Sequence, residues 1–129
     1  MRRKILWIDC IAAALAGVLV LLFLDFLSAL HGLPRSLLLF VGIVNLIYAC
    51  YGFSLTTRTY RSPSMILLLV AGNLVWAAVC AGLAVHFFSS ATVWGIAHLA
   101  GEALFVGRLA TLEWRWRATL ATRVADAAA

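Results

Sequence analysis

TVWGIAHLAGEALFVGRLATL, residues 92–112, is an apolar stretch with one carboxylate, Glu102, near its middle. About 20 helical residues at about 1.5 Å each span the roughly 30 Å hydrocarbon core of a bilayer. A carboxyl group at that depth costs roughly 2.5 to 3.5 kcal/mol on translocon scales, so it requires a partner, a proton or a functional role. The stretch therefore predicts a membrane helix with a polar face.

The composition extends this prediction to the whole chain. Of the 129 residues, 65% are hydrophobic and 12% are charged, which excludes an ordinary soluble domain. Four apolar segments predict an all-α, antiparallel bundle of four transmembrane helices that forms a single membrane domain over residues 1–129. The predicted helices are 5–27, 36–57, 64–88 and 92–113, and a basic tail follows at 114–129.

The Lys and Arg residues orient the bundle, because cytoplasmic loops carry an excess of positive charge. On the side of the termini lie Arg2, Arg3, Lys4, Arg58, Arg61, Arg115, Arg117 and Arg123. Only Arg35 lies in the opposite connectors. We therefore expect both termini to be cytoplasmic in a bacterial inner membrane. The net charge of +5 reflects this asymmetry, and no basic, aromatic-rich soluble face predicts nucleic-acid binding.

The first apolar segment differs from a signal peptide. It is longer than a signal sequence, contains Asp9 and lacks a small-residue cleavage site, so it is predicted to be a retained helix. The three cysteines, Cys10, Cys50 and Cys80, fall inside predicted helices without a CxxC pair. We expect them to be buried apolar residues and not a disulfide framework.

Three further polar residues are predicted to lie near the depth of Glu102. Counted from the helix edges, Asn45 lies about 12 Å below the outer boundary, Glu102 about 15 Å and Asn73 about 18 Å. His98 precedes Glu102 by four residues, so both side chains project from one face of the same helix. The sequence therefore predicts that these four residues form a polar core.

Two roles for this core remain open. In the structural interpretation, a protonated Glu102 or a Glu102–His98 pair satisfies the two amides, each interhelical hydrogen bond contributing roughly 0.6 to 2 kcal/mol. In the functional interpretation, Glu102 exchanges a proton, His98 relays it, and the asparagines coordinate a substrate or water. We prefer the structural interpretation, because one carboxylate does not define a pathway.

Asp9 and Arg108 form a second candidate pair. Each lies about five residues inside the cytoplasmic edge of its predicted helix, and neighbouring helices would let the two charges neutralise each other. Alternatively, both side chains extend separately to the interface.

Metal, cofactor and catalytic sites find little support in the sequence. On the outer side Asp25, His31 and His86 have no spacing typical of metal ligands, so we expect solvated connector residues. Only His98 is clearly intramembrane, which disfavours bis-His haem. No nucleophile has a base in a recognisable arrangement. We expect neither a metal nor a cofactor, and no enzymatic activity.

Asp9, Asn73, Trp76, Glu102 and the segment Leu112-Glu113-Trp114-Arg115 together resemble a pattern in uncharacterised small bacterial four-helix membrane proteins. This resemblance implies a fold and a location, and no activity. The chain also resembles small multidrug-resistance transporters in size and helix number. In that family, however, the functional carboxylate belongs to the first helix, whereas the deepest one here is in the last.

The sequence therefore predicts a multi-pass protein without catalytic activity, an accessory or structural protein of the membrane. The alternative is a small proton-coupled transporter or channel that uses the midplane Glu-His-Asn cluster. The predicted partners are the lipid bilayer and either a second copy of the chain or a larger membrane protein. A second copy suits the transport alternative in particular, because four helices leave little room for a path.

Overall fold

Helices make up all the regular structure in the part of the chain that the computed structural model describes, residues 4–58 and 60–121. In chain order they are α1 (Lys4–Leu22), α2 (Leu24–His31), α3 (Arg35–Thr57), α4 (Pro63–His86) and α5 (Val93–Arg115). The all-α prediction is confirmed. The first predicted helix is divided at Phe23, although Leu27 N still donates to the Phe23 carbonyl oxygen at 2.7 Å.

Three helices, α1, α3 and α4, are long and apolar enough to cross a membrane. The fourth predicted span corresponds to α5, which has 23 residues but contains His98, Glu102 and Arg108. These polar residues lower its hydropathy below that of the other three. Arg2, Arg3, Arg123 and the tail beyond residue 121, which entered the orientation argument, lie outside the described residues.

The exterior of the helices is apolar, while several polar side chains are inside. Leu104 is 77% exposed and Val85 is 78% exposed, whereas Asn73 is 2% exposed and Glu113 is fully buried. Soluble proteins show the opposite distribution, with charged residues almost never fully buried unless paired. This arrangement is compatible with a membrane-embedded protein.

The helices form two pairs, α1 with α3 and α4 with α5, each packed along its length. In the first pair the helices approach closely because Gly17 faces Gly42, and a Cβ added to Gly17 would lie 3.0 Å from the Gly42 carbonyl oxygen. The second pair is joined by a short connector, so α4 and α5 are antiparallel neighbours. Within the described residues, the backbones of the two pairs come close mainly where α1 and α2 meet α5.

Apolar clusters close the two ends of the bundle. One contains Ile5, Leu6, Leu55, Ile66 and Leu109 with Leu120 and Ala121, and the other contains Val20, Leu24, Leu33, Leu38 and Leu99. After α5 the chain turns at Trp116 and is helical again over 117–121. The first part of the predicted tail therefore packs against the core.

Buried Arg61 secures the end of α3 that lies next to this cluster. Its Nε donates to the Leu55 carbonyl oxygen at 2.6 Å, and its terminal nitrogens reach the carbonyls of Thr56 at 3.2 Å and Leu120 at 3.4 Å. A guanidinium is well suited to this position, because the last carbonyls of a helix lack intrahelical donors and carry partial negative charge. Arg61 thereby ties the tail to α3.

The opposite end depends on a close contact between α2 and α5. Gly32 follows α2 in a left-handed conformation, with φ of 64°. Thr92, the N-cap of α5, donates its amide to the His31 carbonyl at 2.9 Å and its hydroxyl to the Leu30 carbonyl at 2.6 Å. A Cβ at Gly95 would overlap the His31 carbonyl oxygen. Only glycine fits this position without a shift of the backbone.

We expect Gly95→Ala to lower the free energy of unfolding by about 1 to 3 kcal/mol, because the methyl group forces α2 and α5 apart. Gly82→Ala is the matched control, since a Cβ at Gly82 meets no atom within 4 Å. The control should be neutral or slightly stabilising, because alanine is the better helix former. Thermal unfolding in detergent measures both, and equal stability of the two variants would contradict the close contact.

Candidate functional site

Glu102, in the middle of α5, is bound by side chains from three helices. Its Oε1 accepts from Asn45 Nδ2 of α3 at 3.1 Å and from Trp76 Nε1 of α4 at 2.7 Å. Its Oε2 lies 3.1 Å from His98 Nε2, one turn earlier on α5. The side chain is 10% exposed. We call Glu102, Asn45, Trp76 and His98 the Glu102 cluster, in which both carboxyl oxygens of Glu102 have a polar partner.

His98 also connects the Glu102 cluster with the α2–α5 contact. The rings of His98 and His31 meet edge to face, with centroids 5.0 Å apart. His31, at the end of α2 and outside the three apolar spans, is buried. The two rings therefore lie side by side where the Glu102 cluster meets the α2–α5 contact.

A second polar group, the Asp9 cluster, consists of Asp9, Tyr48, Asn73 and Glu113. The Tyr48 hydroxyl donates to Asp9 Oδ2 at 2.7 Å. The Asn73 amide donates both to Asp9 Oδ2 at 3.2 Å and to Glu113 Oε2 at 2.8 Å. These contacts join α1, α3, α4 and α5. One amide nitrogen thus holds two carboxyl groups together.

Glu113 is fully buried, and its Oε1 has no hydrogen-bond partner in the described part of the chain. Glu113 and Asp9 share the Asn73 amide, so two negative charges would face each other in a site of low dielectric constant. Bringing two carboxyl groups together in such a position costs free energy, because like charges repel each other strongly there. The Asn73 amide, which both groups share, is therefore central to this arrangement.

The structure brings together three of the four residues in the predicted polar core. Glu102, His98 and Asn45 are in contact, whereas Asn73 contacts Asp9 and Glu113 in the other cluster. Asn73 lies near the centre of α4. Its predicted depth did not separate it from the Glu102 cluster, because Asn73 and the cluster member Trp76 are only one turn apart on α4.

Asp9 and Arg108 do not form the predicted pair. Asp9 is buried with Tyr48 and Asn73, and Arg108 is exposed. The buried face of α5 passes through Val106 and Ala110, and Arg108 is two residues from each. Two residues turn a helix by about 200°, so the Arg108 side chain points away from that face. Among the described residues, Asp9 instead accepts hydrogen bonds from the Tyr48 hydroxyl and the Asn73 amide.

The three residues that were predicted to lie on the outer side, Asp25, His31 and His86, have different surroundings in the structure. Asp25 and Arg35 form an exposed ion pair at 2.7 Å, and His86 is exposed. His31 is buried, so the prediction of a solvated connector histidine was wrong for this residue. Its burial follows from the α2–α5 contact, which the sequence does not reveal. No three His, Cys, Asp or Glu residues among those described come together as a metal site.

The predicted polar core did not include Glu113, Tyr48 and Trp76, which belong to the two polar clusters of the structure. Helical spacing would have identified each of them. Glu113 follows Glu102 by 11 residues, which is about three turns, so both lie on one face of α5. Tyr48 follows Asn45, and Trp76 follows Asn73, by three residues. Glu113 is the last residue of the predicted fourth helix, 92–113, directly before the basic tail.

A cleft of about 910 Å³ lies between the two helix pairs, with members of both clusters in its wall. Asp9 and Tyr48 line it from the first pair, and Trp76, Gly101 and Glu102 from the second. Its volume falls within the roughly 300 to 1,000 Å³ of ligand sites in proteins. The polar centre is therefore accessible from a space large enough for a small organic molecule.

Comparison with known proteins gives no match. No protein-family model, no curated protein and no solved structure is significantly similar to the chain. The resemblance to small bacterial four-helix proteins therefore stays a prediction. The function of the site must be argued from its own geometry.

We expect Asn73→Leu to lower the free energy of unfolding by about 2 to 4 kcal/mol, because it removes the hydrogen bonds to two buried carboxyl groups. The double variant Asn73→Leu with Glu113→Leu should recover part of this loss, since no carboxyl group is left at position 113. Unfolding of both variants in detergent tests this coupling. Strictly additive losses would show that Asn73 and Glu113 act independently.

Proposed function

We propose that the chain is a non-catalytic, multi-pass protein of a bacterial inner membrane, with an accessory or structural role. In this proposal α1 with α2, α3, α4 and α5 form four spans, and both termini are cytoplasmic. The observation that carries the proposal is that polar side chains join the two helix pairs in the middle of the bundle, between the apolar clusters at its two ends. The polar centre then serves to define how the pairs assemble.

Besides the two Thr92 bonds to α2, three hydrogen bonds among the described residues cross between α1 or α3 and α4 or α5. Asn45 donates to Glu102, Asn73 donates to Asp9, and the Tyr51 hydroxyl donates to the Met65 carbonyl at 2.9 Å. At roughly 0.6 to 2 kcal/mol for each interhelical bond in a membrane, they contribute roughly 2 to 6 kcal/mol. This is a large part of the 5 to 15 kcal/mol that stabilises a typical protein. A structural role therefore needs no further activity at Glu102.

We expect Glu102→Gln to keep the stability of the protein within about 0.5 kcal/mol, because the amide oxygen accepts from Asn45 and Trp76 and the amide nitrogen faces His98. Glu102→Leu should lose about 2 to 4 kcal/mol, since it leaves these donors without an acceptor. Thermal unfolding in detergent compares the stability of these two variants with that of the unchanged protein. A large loss in the Gln variant would mean that the negative charge itself is required for folding.

The membrane orientation is supported by the apolar exterior and by the position of the basic residues. Arg58, Arg61 and Arg115 lie at the end of the helices that also holds Lys4, and Arg35 lies at the other end. A partner, either a second copy or a larger membrane protein, would meet this chain through the exposed sides of its helices.

We expect a periplasmic reporter, alkaline phosphatase, to be active when inserted between Ser89 and Ser90 and inactive when fused after Ala129. The reason is that the α4–α5 connector lies outside if four spans start and end in the cytoplasm. Green fluorescent protein at the same sites is the complementary control, because it fluoresces only in the cytoplasm. An active phosphatase at the C-terminus would contradict the four-span topology.

Proton-coupled transport is a second candidate, favoured by one observation: the cleft has Glu102, His98 and Asp9 in its wall. Protons entering the cleft would reach a carboxylate with a histidine beside it. The two candidate functions predict different proton fluxes in vesicles that contain the protein and a pH-sensitive dye. A proton flux that Glu102→Gln abolishes, in a variant that stays folded, supports transport. No flux in either protein supports the structural role.

A further inference from the structure

The guanidinium of Arg108 belongs to the outward face of α5. Arg108 is exposed and does not line the cleft. It precedes Arg115, the last residue of α5, by seven residues, which is about 10 Å along the helix axis. Trp114, beside Arg115, is 47% exposed, and tryptophan is enriched at the level of the lipid headgroups. With α5 as the fourth span proposed above, Arg108 therefore lies about two helical turns inside the headgroup layer.

Arg108 has no counter-charge within the described part of the chain, where it forms neither a hydrogen bond nor an ion pair. The chain has five acidic residues, of which four have partners elsewhere and one lies outside the described residues. The four are Asp9, Asp25, Glu102 and Glu113, and the fifth is Asp126. An arginine at membrane depth is costly unless a partner neutralises it. The counter-charge of Arg108 is therefore expected from outside the chain.

A second guanidinium, that of Arg115, lies on the same face of α5. Seven residues separate it from Arg108, so the two positions differ by only about 20° around the helix. Arg115 is exposed and also forms no hydrogen bond or ion pair with a described residue. Arg117 differs, because its guanidinium stacks on the Trp114 ring at 3.9 Å and donates to the Trp114 carbonyl at 2.7 Å. Arg108 and Arg115 thus offer two positions for anionic groups.

The residues around the two arginines suit a lipid better than a water-soluble anion. Leu104, one turn before Arg108, is apolar and 77% exposed. Thr111 lies between the arginines on the same face and is also exposed. Its hydroxyl donates to the Gly107 carbonyl at 2.9 Å, so it is not a donor to a ligand. Acyl chains can therefore lie along Leu104, while the anionic groups of the same molecule reach the arginines.

We infer that this face of α5 binds a phospholipid with two phosphate groups, such as cardiolipin, with one phosphate at Arg108 and one at Arg115. The planar guanidinium matches a phosphate with two parallel hydrogen bonds, and a lipid with one phosphate would serve only one arginine. The inference goes beyond the accessory role and rests on α5 as a membrane span. Lipid binding in detergent does not depend on the topology, which the phosphatase reporter tests separately.

The test uses three lipids, cardiolipin with two phosphates, phosphatidylglycerol with one, and zwitterionic phosphatidylethanolamine. Native mass spectrometry of the full-length protein in detergent counts the bound lipids as each is titrated. We expect one cardiolipin per chain, phosphatidylglycerol to bind about fivefold more weakly or less, and no saturable binding of phosphatidylethanolamine. Equal affinity for cardiolipin and phosphatidylglycerol, or displacement of cardiolipin by inorganic phosphate, would overturn the proposal.

The two positions are tested separately with Arg108→Gln and Arg115→Gln. We expect each to weaken cardiolipin binding by about fivefold or more, because each removes the partner of one phosphate. Arg58→Gln is the matched control, since Arg58 is exposed at the same end of the bundle but follows α3. Equal losses in Arg108→Gln and Arg58→Gln would indicate a general effect of net charge and contradict the assigned site.

Thr111→Glu tests the site with both arginines in place, and Thr111→Gln is its control. The new carboxylate is three residues after Arg108 and four before Arg115, so it can pair with both. We expect Thr111→Glu to abolish saturable cardiolipin binding and Thr111→Gln to keep it. Unchanged binding in Thr111→Glu would place the lipid elsewhere and overturn the proposal. A dimer in lipid-free detergent that Arg108→Gln dissociates would also overturn it, because the counter-charge would then come from a second copy.

Discussion

A carboxylate surrounded by apolar groups must find its hydrogen-bond donors within the protein, and the arrangement of the helices follows from this requirement. Glu102 finds hydrogen-bond partners on α3, α4 and α5. Asn73 gives its amide hydrogens to Asp9 and Glu113 at once. Because a buried polar group that loses its partner costs free energy, each helix is held at the distance and rotation that keeps the bonds intact. Apolar packing completes the two ends of the bundle, while the polar contacts determine its centre.

Much of the fold follows from the length and spacing of the apolar segments. The helical class, the approximate limits of α3, α4 and α5, and the grouping of Glu102 with His98 all depend on local periodicity, which a single sequence displays. Asn45 was found through its depth alone. The short α4–α5 connector permits only antiparallel neighbours. These features need no knowledge of how distant parts of the chain meet.

The remaining features depend on helix rotation, which depth along a helix does not reveal. Asp9 and Arg108 lie at similar depths, but Arg108 is on the opposite side of α5 from Glu113. Asn73 faces the carboxyl groups of Asp9 and Glu113 because α4 is turned so that Trp76, one turn later, reaches Glu102. The burial of His31 depends on the close approach of α2 to Gly95. Each of these outcomes is a tertiary contact. The corresponding pattern in the sequence is the three-, four- and eleven-residue spacing of polar side chains. This pattern can be recognised once the buried faces of the helices are known.

The division into two helix pairs also has a consequence for biosynthesis. Within the first pair Asp9 already has the Tyr48 hydroxyl, and within the second pair Asn73 holds Glu113 while Trp76 and His98 hold Glu102. Each of these carboxyl groups thus has a partner inside its own hairpin and does not depend on the other hairpin for its first hydrogen bond. Membrane insertion and helix association are separate stages, and a polar group is most exposed to lipid between them. In a membrane-embedded chain, the pairing of side chains within each hairpin would shorten that interval and would let the two halves enter the bilayer one after the other.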